Sequence, residues 1–84
     1  MNHKALVEIS LPASGQRFEV YIPLDSTIWQ ITSLVSAALS DLSGGKFFPT
    51  ADTVLCDGIT GQVLDINMEA GELGLCNGSC LMLI

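Results

Sequence analysis

The chain has 84 residues, enough for one hydrophobic core and too few for two. Hydrophobic residues make up 49% and charged residues 14%, a balance that excludes an acidic disordered tail. Nine acidic residues against three basic ones give a net charge of −6, and Lys4, Arg17 and Lys46 are too few and too scattered to grip a phosphate backbone, so no nucleic-acid partner is expected.

Met1-Asn2-His3-Lys4-Ala5 leads straight into alternating residues, without the apolar stretch and cleavage site of a signal peptide. No apolar run reaches the roughly 18 residues of a membrane span. A cytoplasmic protein with no direct membrane insertion is expected. Ala5, Val7, Ile9 and Leu11 then fall on one face of a strand, with Leu6, Glu8 and Ser10 on the other. Pro12-Ala13-Ser14-Gly15-Gln16 breaks the pattern. Alternation resumes with Phe18, Val20 and Ile22 on one face and Glu19 and Tyr21 on the other. Two such runs around a short Gly-containing loop predict an antiparallel hairpin.

After Pro23 the period changes. Ile28, Ile31, Val35, Ala38, Leu39 and Leu42 form one stripe at about 100° per residue, which predicts an amphipathic helix over 28–42. Thr27 followed by Gln30 is the spacing of a capping box, and Ser43-Gly44-Gly45 supplies the stop. Lys46 to Asp52 is a connection whose Phe47-Phe48 pair folds over the edge of the core. Thr53 to Cys56 predicts a short strand closed by the Asp57-Gly58 turn. Gln62-Val63-Leu64 reads as a short return strand and 67–73 as one helical turn. Cys80 to Ile84 is a last strand, apolar on both faces as a central strand is. A single α+β domain over residues 1–84 follows, with a mixed sheet of four or five strands and one helix across one face.

The Gly15 hairpin, the Leu24-Asp25-Ser26-Thr27-Ile28 approach to the helix, the Asp57-Gly58 turn and the ending from Leu73 to Ile84 together resemble a ubiquitin-like β-grasp domain. The ending, Leu73-Gly74-Leu75-Cys76-Asn77-Gly78-Ser79-Cys80-Leu81-Met82-Leu83-Ile84, is the most specific part. It is similar to the tail of the YukD-like proteins, small ubiquitin-fold proteins that accompany type VII secretion systems in Gram-positive bacteria. The resemblance implies a non-enzymatic accessory or regulator that binds a protein partner, such as a membrane-anchored secretion component. Ser79 stands where that family commonly has Asp. Ubiquitin and the sulfur carriers act through a C-terminal Gly-Gly, and this sequence ends Leu83-Ile84. The alternative reading, a carrier or modifier, therefore needs a processed or extended end.

Six residues, Leu55, Met82, Ile84, Cys80, Tyr21 and Trp29, are candidates for protein binding. Cys80, Met82 and Ile84 are expected on the open sheet face, with Leu81 and Leu83 in the core. Leu55 joins them if Val54 and Cys56 point inward, and Leu6 and Tyr21 extend the patch. An apolar face and an unpaired edge also allow a homodimer. Trp29 lies off the helix stripe, beside Ser33, Ser36 and Ser40. It is either a contact for a partner or a ring folded back over Pro23-Leu24 or the 60s loop.

Cys56, Cys76 and Cys80 are an odd count, expected as reduced, buried or half-buried side chains. Their spacing lacks the paired pattern of a zinc site, so no metal or other cofactor is expected. A lone His3 supports no Cys–His or Ser–His–Asp set, and no catalytic residue is assigned. The carboxylates Asp57, Asp65, Glu69 and Glu72 read as a solvated face that steers basic partners.

Overall fold

Strict alternation makes β1, Lys4–Leu11, and β2, Gln16–Pro23, which pair antiparallel from Lys4 opposite Pro23 to Leu11 opposite Gln16. A computed structural model of the chain describes residues 3–84; Met1 and Asn2, where the segment read as lacking a signal peptide begins, lie outside the described residues. The reversal closes where the Gly15 N–H donates to the Leu11 carbonyl at 2.9 Å, with Gly15 at φ +71°, a conformation that strains any residue with a side chain.

Helix α1 spans Ile28–Leu42, the range the periodicity predicts. Its first turn leaves four N–H groups without helical partners. The Thr27 hydroxyl oxygen accepts from the Gln30 N–H at 3.3 Å, and the Gln30 side-chain oxygen accepts from the Thr27 N–H at 3.0 Å. Two more helix donors are met from far along the chain. The Ile28 N–H donates to the Met68 carbonyl at 2.9 Å and the Trp29 N–H to the Ile66 carbonyl at 3.1 Å. The same segment bonds back through the Ala70 N–H to Ser26 and the Gly71 N–H to Leu24. Residues 67–73 are therefore a run of turns and not the expected helical turn. Their backbone is spent on the helix end and on Leu24 and Ser26.

Two short strands complete the sheet, β3 at Leu55–Asp57 and β4 at Cys80–Leu83, in the order β2-β1-β4-β3. β4 lies parallel to β1 and antiparallel to β3, so the last strand is central, as its two apolar faces predict. The sheet has four strands; Val63 makes only an isolated bridge to Cys56 in place of a return strand. The inner face, with Val7, Ile9, Leu11, Ile22, Leu55, Leu81 and Leu83, packs against Ile28, Ile31, Val35 and Leu39 of α1. Ala38 and Leu42, expected on the stripe, are exposed. Leu42 has the angle of the stripe but is the last residue of the helix. Phe47 packs on the core while Phe48 stays outside, splitting the pair.

The turn after β3 is held by one carboxylate. An oxygen of Asp57 accepts from the Thr60 N–H at 2.9 Å and the Ile59 N–H at 2.8 Å. These backbone donors favour the charged form and hold the carboxyl below the usual Asp range. Gly58 then passes so close to β4 that a Cβ there would lie 2.8 Å from the Cys80 carbonyl carbon and oxygen.

Replacing Thr27 by Ala should cost about 1 kcal/mol by removing the cap, whereas Leu39→Ala, emptying a fully buried site, should cost about 2–5 kcal/mol; chemical denaturation of both variants checks the order. A depressed folded-state pKa contributes stability above the unfolded value and loses it as pH falls through the folded one. Asp57→Ala should therefore melt lower than the parent at pH 7, with the gap closing as the pH drops below about 4. A gap that persists at pH 2 would mean that charge plays no part in holding this turn.

Candidate functional site

The open sheet face is set by register. Parallel pairing puts Glu8 beside Cys80, Ile9 beside Leu81 and Ser10 beside Met82. Antiparallel pairing then puts Leu55 beside Leu83 and Cys56 beside Met82. Residues paired across strands share a face. Leu55 consequently faces the helix and is 1% exposed, which corrects its placement on the open face. The reason is a phase shift of one residue in a strand too short to show its own alternation. Cys56 takes the outward position instead, yet it is fully covered, paired with Met82 on one side and bridged to Val63 on the other.

The rest of the face runs in rows. Tyr21 and Leu6 form one, Glu19, Glu8 and Cys80 the next, and Arg17, Ser10, Met82 and Cys56 the third. Ile84 extends the line of β4, its backbone bonded in both directions to Val54 at 2.8 and 3.0 Å. Tyr21, Cys80 and Ile84 are exposed and Met82 half-buried. Glu8 and Arg17 make a 3.8 Å ion pair within the face, between exposed groups. The expected apolar patch is thus divided: a charged row separates Tyr21 and Leu6 from Met82. Composition by strand could not show this, because it depends on how β1 and β4 are registered.

Trp29 does not join this face. It sits on one flank of α1, 64% exposed, beside a cleft of about 570 Å³ between the helix and residues 49–54. Ile66 of the 60s loop lines the same cleft, so the ring has that loop as a neighbour but is not covered by it. The cleft has no counterpart in the sequence reading, since its far wall comes from a connection without periodicity.

The three thiols fall into two classes. Burial pushes the Cys56 thiol up, away from the reactive thiolate. Cys76 and Cys80 are free and exposed, against the expectation that all three would be at least half-buried. The Asn77-Gly78 turn between them belongs to the sheet. The Asn77 side-chain oxygen accepts from the Leu6 N–H at 2.8 Å, and the Gly78 N–H donates to the Leu6 carbonyl at 2.9 Å. Among the described residues, no three His, Cys, Asp or Glu side chains gather as metal ligands, and no helix is long and apolar enough to cross a membrane.

No family model and no curated protein matches the sequence. Solved structures do match the fold. The ubiquitin-like domain of Plasmodium falciparum Dsk2 superposes with a TM-score of 0.72 at 16% identity, over 95% of both chains. The chain has the ubiquitin-like β-grasp fold. The ubiquitin-like domain of the Mycobacterium tuberculosis type VII secretion system protein ECCD1 is similar at a TM-score of 0.71 and 16% identity, over 95% of this chain and 98% of that one. A chain of the MycP5-free ESX-5 inner membrane complex in State II gives 0.73 and 16%, over 98% of this chain and 21% of that much longer one.

Iodoacetamide at neutral pH should modify Cys76 and Cys80 in the folded protein and spare Cys56 until denaturant is added, as read by peptide mass. Equal rates at all three would mean that Cys56 is not closed off from solvent.

Proposed function

We propose that this chain is a non-enzymatic protein-interaction module, a cytoplasmic accessory or regulator of a type VII secretion system. One observation carries the reading: a likeness to the ECCD1 ubiquitin-like domain that runs nearly end to end in both chains. The likeness to part of a chain in the ESX-5 inner membrane complex supports a partner among the membrane components of such an apparatus. The similarity is one of fold, so the surface must supply the chemistry.

On this reading the open sheet face docks the partner. Met82 and Ile84 form an apolar end, Cys80 borders it, and Tyr21 anchors the opposite corner beyond the charged row. Leu55 supports this surface only from beneath, by filling the core behind β4. Glu8 and Glu19 face a partner that carries matching basic groups, which speeds encounter more than it deepens affinity.

The test is reconstitution with purified cytoplasmic domains of the secretion components from the same genome. Met82→Asp with Ile84→Asp should weaken binding at least about tenfold, the effect of losing a small hot spot, while circular dichroism and melting temperature stay near those of the parent. Asp at both positions with unchanged binding would rule the face out. Absence of binding by the parent chain to every component would overturn the secretion reading itself.

A further inference from the structure

β2 is an edge strand eight residues long, with β1 on one side and no strand on the other. The Leu24 N–H donates to the His3 carbonyl at 2.7 Å, and the register of the hairpin runs on from that pair without a break. In an antiparallel ladder only alternate residues turn their backbone groups to a given neighbour. Even-numbered residues of β2 therefore bond to β1, while Arg17, Glu19 and Tyr21 turn theirs outward. No backbone group among the described residues meets them there. Edges of this length are usually blunted by lysines, bulges or prolines. Here only Pro23, at the far end, does so.

The side chains along this edge are unfinished on both faces. On the outer face Glu19 lies directly opposite Glu8, a like-charge pair. Glu8 has Arg17 at 3.8 Å, whereas Glu19 has no ion pair among the described residues. On the inner face Phe18 and Val20 pack on the core but stay only half-buried, at the strand where the sheet stops.

A second copy of the strand, run antiparallel, meets those groups in few registers. Outward backbone groups must face each other, so odd-numbered residues must lie opposite odd-numbered ones. A two-fold axis at Glu19 sets two carboxylates against each other, and one at Arg17 does the same to the guanidiniums. An axis at Val20 places Arg17 opposite Pro23, which has no N–H to give. An axis at Phe18 has none of these faults. Arg17 of each copy then lies opposite Glu19 of the other, and both pairs exchange N–H···O bonds. The same register sets Phe18 against Phe18 in the close, non-hydrogen-bonded position, on the face that continues the core.

We propose that the β2 edge pairs with the β2 edge of a second copy about Phe18, joining two sheets into one. Each Arg17 meets the carboxylate that lacks a cation, and the Phe18 rings cover each other where each sheet ends. A net charge of −6 on each copy opposes the approach, so the dimer is weak and rests on these local pairs. The two open sheet faces then lie side by side on one surface. The pairing does not depend on what docks there.

Sedimentation velocity tests this in reducing buffer, where the exposed Cys76 and Cys80 cannot cross-link copies. The parent should pass from monomer to dimer as its concentration rises into the millimolar range. Hydrogen exchange of the Arg17 and Glu19 amides should slow over the same range. Arg17→Glu or Glu19→Arg sets like charges opposite each other at both pairs and should weaken the dimer at least about tenfold. Mixed in equal amounts, the two variants are complementary at both pairs and should form a heterodimer as stable as the parent dimer. Circular dichroism and melting temperature confirm that both variants are folded. A parent that stays monomeric overturns the proposal, as does a dimer indifferent to the single reversals or a mixture that does not associate. Where a variant fails to fold, the amides decide: exchange that does not change with the parent's concentration overturns the pairing.

Discussion

The parallel pairing of β1 with β4 is the constraint on which the rest of the structure depends. It joins residues about seventy positions apart, and only through it does an apolar C-terminal segment become the centre of a sheet. The pairing is continued past the strand by the 77–79 turn, which meets both the N–H and the carbonyl of Leu6 and the N–H of Glu8. β1 thus spends its odd-numbered backbone groups on β2 and its even-numbered ones on β4 and the turn before it. A parallel ladder is slow to form because its ends must first be brought together. The local hairpin and the capped helix offer the surface onto which β4 closes.

The register of that ladder propagates outward. With Leu81 beside Ile9, β4 must turn Leu83 inward and Met82 outward; with Leu83 inward, the paired Leu55 is inward too. Three residues of β3 have no independent say. The same logic covers the 66–71 segment, which lies where it does because α1 presents unpaired N–H groups and Leu24 and Ser26 present unpaired carbonyls. Ala70, fully buried, lies in that segment close to the helix start. Both surfaces discussed here are by-products of these backbone requirements. The first is the outer side of a ladder, and the second is the space between a helix and a connection pinned elsewhere.

Much of the fold was legible because its signals are local. Alternation fixed both faces of the hairpin, the change to a 3.6-residue period fixed the helix, and Thr27 with Gln30 fixed its start to the residue. The errors cluster where local signals stop. Leu55 is one of two adjacent buried residues, so its sequence neighbourhood carries no phase. Residues 62–64 and 67–73 carry strand-like and helix-like hints that their hydrogen bonds to distant partners override. The candidate residues follow the same division. Cys80, Met82, Ile84 and Tyr21 lie where alternation puts them, while the interruption by Glu8 and Glu19 and the whole cleft beside Trp29 arise only from tertiary placement.

The two surfaces differ in what could hold a partner. On the sheet face the anchors are Met82, half-buried, and Ile84 at the rim, and docking there must order the flexible methionine side chain. Its charged row is acidic, Glu19 and Glu8, with Arg17 of the next row paired to Glu8 in a contact too exposed to contribute much by itself. That row acts as a filter: a partner must bridge it, matching Glu19 and Glu8 while leaving Arg17 uncrowded. The cleft differs in having a lining without charged side chains and a largely exposed indole at one end. A chain with net charge −6 is repelled from its own copies.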